Sequence, residues 1–385
     1  MGVFRLLLAF AVLETHVGEH SSRSDYLGIG FIPGVRAAEI FFVLSGFYMA
    51  LVLHEKYNRP GGARLFLQQR FLRLYPTYLM LLIFFLIVYA VLFVVTGQVY
   101  GAIKVWKDYF HVLNAWSILI YGWLNVGVLG QDLLTFFRQD TSTGQFYFGL
   151  PPAGTVSVWS AGFMVNPTAW SLSSEFIFYF IAPWLVHRSI PLQLLLLAAS
   201  AGLQNWLAYA GFWPIHSWTY FFAPSELCYF VSGSLAYRFY RAHRERLAAF
   251  GLAYPWIFWL AALLVVIYRR VPLLAGHGLL VIFLALPMVP LLYARTRHNK
   301  TDRMIGELAY PFYLLHWNVL FLVAAMRGGP VSPYFEPICL ATTLIGAWLF
   351  YRFIEVRTEK WRARVFERET APDAAPPSHL APETG

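Results

Sequence analysis

The chain has 385 residues, 58% of them hydrophobic and only 13% charged. A soluble protein carries about a quarter charged residues, so composition excludes a soluble globule and indicates a polytopic membrane protein. The net charge of +9 does not point to nucleic acid, because the Lys and Arg cluster in short loops, as the positive-inside rule expects, with no recognition motif beside them.

Ten apolar runs are long enough, or nearly so, to cross a bilayer. They lie near 2–18, 36–53, 75–96, 168–187, 191–210, 219–237, 254–270, 273–293, 305–326 and 336–354. Glu14 and His16 interrupt the place where a signal cleavage site would lie, so the first run reads as a retained span. The expected fold is all-α, a polytopic bundle of about ten transmembrane helices over 1–358. The segment 359–385, whose stretch from Glu367 onward is rich in Pro, Ala, Glu and Thr, is expected to be a disordered cytoplasmic tail.

Three basic clusters set the sidedness: one between His54 and Arg73, one from Arg238 to Arg246, and one from Arg295 to Arg303. All three fall in the cytoplasm only if an even number of spans separates each pair. That parity makes the apolar stretch His111 to Leu134 re-entrant or interfacial, inside a large external region of about 97–166, and places both termini in the cytoplasm. Arg269 and Arg270 then fall outside, against the rule. Cys228 and Cys339 lie in apolar runs and read as buried thiols, with neither a disulfide framework nor metal-ligand spacing.

The first run carries two ionisable groups, Arg5 and His16. Eleven residues at about 100° each is close to three turns, so the two share a helix face, roughly 16 Å apart along the axis. Ionisable groups inside a membrane mark sites by default. Glu14 points about 160° away from His16 and cannot orient it from the same helix. Further along come Ala38-Glu39-Ile40-Phe41-Phe42-Val43-Leu44-Ser45-Gly46-Phe47, Arg70-Phe71-Leu72-Arg73-Leu74-Tyr75-Pro76, Trp170-Ser171-Leu172-Ser173-Ser174-Glu175 with Phe178-Tyr179, and Tyr310-Pro311-Phe312-Tyr313-Leu314-Leu315-His316. In this order, and over about residues 3–356, these segments resemble the membrane acyltransferase 3 family, whose members O-acylate cell-surface glycans and some small molecules.

The resemblance implies transfer of an acyl group, acetyl on family base rates, from cytosolic acyl-CoA (acetyl-CoA) to a hydroxyl of an exopolysaccharide, O-antigen or other glycan. The acceptor would be a glycan or lipid-linked sugar, the setting a bacterial inner membrane, and no metal is called for. Arg5, Arg70 and Arg73 are the candidate donor-binding residues, since guanidinium forks suit phosphate oxygens; ordinary positive-inside anchoring is the plainer reading. His16 is the candidate base or nucleophile, against a helix-end histidine bonded to a carbonyl. Glu175 is set against a structural ion pair, as the group that pairs with an arginine or holds an imidazole, and Glu39 opens the second span. His316, beside Trp317 and Asn318, is a second acid/base or a core histidine. Ser45 has no Gly-x-Ser-x-Gly elbow and reads as a packing residue, with Gly46 permitting close helix approach. Phe146, Tyr147, Phe148 and Trp159 are read as interface packing ahead of sugar stacking. Two rivals stand beside this reading: a glycan-precursor flippase, disfavoured by the lack of inverted repeats, and an acyltransferase for a secondary metabolite. Because the chain ends soon after the tenth run, transfer is expected to finish in the membrane domain or on a partner protein.

Overall fold

The computed structural model describes residues 1–21, 30–271, 279–327 and 334–370. His277, the start of the run 273–293 and the segment 371–385 lie outside the described residues. The chain forms a membrane helix bundle: α1 (Gly2–Ser21), α2 (Gly34–Glu55), α3 (Gly62–Thr96), α4 (Gly101–Tyr109), α5 (Ala115–Gly127), α6 (Trp170–Leu185) and α7 (Ile190–Ala210). It continues with α8 (Ala223–Ala253), α9 (Trp256–Ile267), α10 (Leu279–Thr296), α11 (Lys300–Glu307), α12 (Ala309–Arg327), α13 (Phe335–Phe350) and α14 (Val356–Thr370).

Every expected run lies on a helix, but fewer helices than ten meet the length and composition of a span. Among the described residues five do so, or six if the pair 217–251 and 256–270, bent by 96°, is one broken span. The five are α2, α3, α7, the joined stretch Lys300–Met326 and the joined stretch Phe335–Thr370. The shortfall has local causes. The 16 residues of α6 rise only about 24 Å, short of a hydrocarbon core of about 30 Å. Helix α1 is long enough but carries Arg5, Glu14 and Glu19, and α10 counts only over Ile282–Thr296, too short for a span.

Two boundaries differ from expectation. Helix α3 starts at Gly62, well before residue 75, after a left-handed Gly61 (φ 73°), so much of the expected basic loop is helical. Residues 359–370, expected to be a disordered tail, belong to α14. That segment holds Trp361, Val365 and Phe366 among good helix formers, and it packs on α3 through Gln69 Nε2, which donates to the Arg362 carbonyl at 3.1 Å.

Helices α2 and α8 meet in a close seam. A Cβ on Gly46 would lie 2.0 Å from the Phe230 carbonyl oxygen, and one on Gly233 would lie 2.0 Å from that of Val43. Only glycine permits this approach. At one end of the bundle the Asp302 carboxylate of α11 accepts from the first amides of α1, Gly2 N at 2.7 Å and Val3 N at 3.0 Å, acting as a cap supplied by another helix. At the other end Ile32 N donates to Val265 O (2.8 Å) and Arg269 N to Gly30 O (2.9 Å), tying the end of α9 to the entry of α2.

Between α3 and α6 the chain is not purely helical. Strands β1 (Phe137–Asp140), β2 (Phe146–Phe148) and β3 (Ser157–Trp159) form an antiparallel sheet in the order β2-β1-β3. This departs from the all-α expectation; its aromatic and β-branched residues favour short strands, too short to register against the helical runs. Asp140 accepts from Ser142 N (2.6 Å), Ser142 Oγ (2.6 Å) and Thr143 N (2.9 Å), which closes the β1–β2 turn. Those three bonds hold its carboxyl below the usual range, at about 2. Helix α5 packs under this sheet with inverted polarity. Ser117, Tyr121 and Asn125 face inward, while Trp116 (74% exposed), Leu119 and Trp123 (69%) face outward. Its 13 residues rise about 20 Å, less than a crossing requires. Trp159, Phe148 and their neighbours pack within the region: Trp159 Nε1 donates to the Thr135 carbonyl at 2.8 Å, and Phe148 meets Phe137 at 5.5 Å.

Candidate active site

The α1 pattern places Arg5 and His16 in two different surroundings. Arg5 lines a cavity of about 350 Å³ bounded by α1, α2, α3, α6 and the α10–α12 stretch. Arg70, Arg73, Ser45, Glu175, Tyr179, Glu307, Tyr310 and Tyr313 line it too. Because α3 begins before them, Arg70 and Arg73 fall one turn apart on one face, as the i, i+3 spacing requires. Arg73 meets Glu307 at 3.4 Å. Arg5 and Arg70 have no carboxylate within 4.0 Å among the described residues; Arg70 instead stands 5.6 Å from the Phe66 ring centroid and 5.9 Å from that of Tyr179. Uncompensated guanidinium groups gathered at one cavity form an anion site.

Glu175, two turns into α6, projects into the same cavity. Its Oε1 accepts from Ser45 Oγ at 2.8 Å and from Tyr179 Oη at 2.6 Å. It therefore neither holds an imidazole nor forms an ion pair within 4.0 Å among the described residues, which corrects both expectations for its partner. Ser45, read as packing, is a hydrogen-bond donor to that carboxylate. Glu39 is away from this group and pairs with Arg36 at 2.5 Å.

His16 and His316 do not line the cavity; they lie together just past it. Their rings stack with centroids 5.4 Å apart and planes 15° from parallel, and Trp317 meets His16 edge-on at 4.9 Å. Tyr313 joins the two zones. Its side chain lines the cavity, its ring lies 5.6 Å from that of His316, and its carbonyl is 2.5 Å from His316 Nδ1. A carbonyl only accepts, so Nδ1 carries the hydrogen and the neutral ring exposes a lone pair on Nε2. That Nε2 is fully buried and has no hydrogen-bond partner among the described residues. A buried acceptor without a donor, beside a second imidazole, is suited to taking a proton from an entering hydroxyl.

Sequence reasoning brought Arg5, His16, Arg70, Arg73, Glu175 and His316 forward but not their arrangement. It missed Glu307, Asp302 and Gln69, which read as ordinary polar residues among the cytoplasmic basic clusters. The weak signal was that Glu307 precedes the Tyr310-to-His316 segment by one helix turn. Cys228 and Cys339 are fully buried free thiols.

The model of the acyltransferase 3 family, described as an acyltransferase domain, matches residues 1–352. The chain belongs to that family and is a multi-pass membrane acyltransferase. No curated protein and no solved structure compared with it gave a match.

Proposed function

We propose that the protein transfers an acyl group, acetyl in the simplest case, from cytosolic acyl-CoA to a hydroxyl of an exopolysaccharide, O-antigen or related glycan, in a bacterial inner membrane with both termini inside. On this reading α1, α6, α8, α9 and α10 also cross within the bundle, giving ten spans with the five that meet the length and composition of one, a number compatible with charge parity. The observation that carries the proposal is two chemistries side by side, joined by Tyr313. Arg5 and Arg70, with no carboxylate within 4.0 Å among the described residues, stand at one cavity, and the stacked His16–His316 pair lies beyond Tyr313.

Arg5, Arg70 and Arg73 bind the donor's phosphates by charge-assisted hydrogen bonds. A cavity of about 350 Å³ is at the small end for ligand sites, roughly 300–1,000 Å³, so it takes the acyl-bearing arm while the nucleotide stays at the mouth. The acceptor hydroxyl attacks the thioester carbon, its proton passes to an imidazole, the new C–O ester bond forms, and the C–S bond breaks. The imidazolium then gives that proton to the departing thiolate, which leaves as CoA and restores the neutral base. His316 Nε2 has the free lone pair for the first proton, and His16 stacks against the ring that carries it. Glu175, held by Ser45 and Tyr179, lines the same cavity as the donor arginines.

The test is acyl transfer by the purified full chain in nanodiscs, given labelled acetyl-CoA and surface glycan from a strain lacking the gene. The expected product is ester-linked label on the glycan, and mass spectrometry of the deletion strain's polysaccharide should show loss of an acetyl ester. Movement of glycan across the bilayer without an acylated product would instead establish a flippase.

A further inference from the structure

The family match ends at residue 352, yet the chain continues as α14 and turns back against the arginine end of the bundle. Three contacts hold it there. Gln69, the residue before Arg70, donates to the Arg362 carbonyl at 3.1 Å. One turn later Phe366 receives the Lys56 ammonium 3.8 Å from its ring centroid, and it meets the Tyr57 ring edge-on at 6.0 Å. Arg362 and Phe366 are i, i+4 on one face, so the anchor that fixes Phe366 also turns Arg362 toward α3.

The Arg362 side chain is half-buried there, within electrostatic reach of Arg73, Arg70, Glu359 and Glu307. No carboxylate lies within 4.0 Å of its guanidinium among the described residues. A solvated basic helix turns its charges outward and apart; this one holds a further guanidinium near Arg70 and Arg73. Glu307 lies within 4.0 Å of Arg73, and added positive charge at one place favours an anion that joins it.

We propose that Arg362 is a donor-binding residue, a further cation for the phosphates of acyl-CoA, and that α14 is the outer wall of the donor site although it lies beyond the family domain. This rests on the acyl-CoA reading of the cavity. It is tested by titrating coenzyme A into the full chain in nanodiscs, comparing wild type with Arg362→Ala, Arg362→Lys and Arg364→Ala, the last being an exposed arginine on the same helix. Arg362→Ala should weaken binding about tenfold, the scale of one charge-assisted contact, and should flatten its salt dependence. Arg362→Lys should fall between, and Arg364→Ala should bind as wild type does. Thermal unfolding without ligand checks that α14 stays docked; if Arg362→Ala unfolds, the charge-keeping Arg362→Lys decides the matter. Wild-type affinity in the Arg362 variants, or an equal loss in Arg364→Ala, overturns the assignment of Arg362 while leaving the donor reading intact. Failure of the wild type itself to bind coenzyme A removes that reading and this inference together.

Discussion

The stacked imidazoles make distinct demands on the two histidines. If His316 Nε2 accepts the hydroxyl proton, His316→Gln removes the base but keeps an amide able to hydrogen bond. Turnover should fall at least about a hundredfold, the usual range for a lost general base, with coenzyme A affinity unchanged. His16→Ala should abolish product while the protein still folds; near-normal acylation by a folded His16→Ala variant would remove that residue from the chemistry. Ser45 offers a finer probe. Its hydroxyl donates to the Glu175 carboxylate in the cavity, so Ser45→Ala should lower unfolding stability by about 1 kcal/mol, the net value of a single hydrogen bond. Equal melting temperatures in detergent would show that Tyr179 alone holds Glu175.

Individual elements carry their own predictions. Gly46→Ala should loosen the α2–α8 seam, because the new methyl group has the Phe230 carbonyl 2.0 Å away and backbone has no alternative rotamer. A loss of monodisperse protein on extraction is the expected readout, and an unaltered melting curve would contradict the close approach. In the β2-β1-β3 sheet, Asp140 has its carboxyl held down at about 2 by Ser142 and Thr143. A depressed carboxyl stabilises fully above its ordinary value near 4, and that contribution is lost as pH falls through about 2. Hydrogen exchange at the Ser142 and Thr143 amides should therefore stay slow down to about pH 4 and speed up below it. Asp140→Asn should exchange faster at neutral pH and lose that pH dependence.

At the scale of the whole molecule, sidedness is the open quantity. Exposed positions on the two ends can be read by labelling: a cysteine replacing Ser142 should react with an impermeant maleimide from the periplasm, and one replacing Lys360 only after the membrane is opened. Cys228 and Cys339, fully buried, should contribute little background. Labelling of both new cysteines from one side would break the parity argument.

The helical runs and the residues of the cavity were legible because charge in an apolar helix is rare and therefore visible. Arg5, Arg70, Arg73 and Glu175 stand out against such a background, and the structure brings all four to one cavity. What stayed hidden was contact between distant segments. Nothing local in Trp317 or His316 says that His16, three hundred residues earlier, lies against them. The sheet escaped notice because three strands of three or four residues give no period to count. Helix α14 was mistaken for a tail because its polar composition resembles a solvated segment until Phe366 is seen under Lys56.

The glycine seam has a mechanical consequence. With the α2 and α8 backbones touching at two reciprocal points, neither helix can slide along the other by even one residue without driving a carbonyl into a Cα. The two travel as one beam. Ser45 rides on that beam and cannot change its distance to α8. On the proposed reading, any motion that admits donor or acceptor has to come from the helices around this post and not from sliding at the α2–α8 seam.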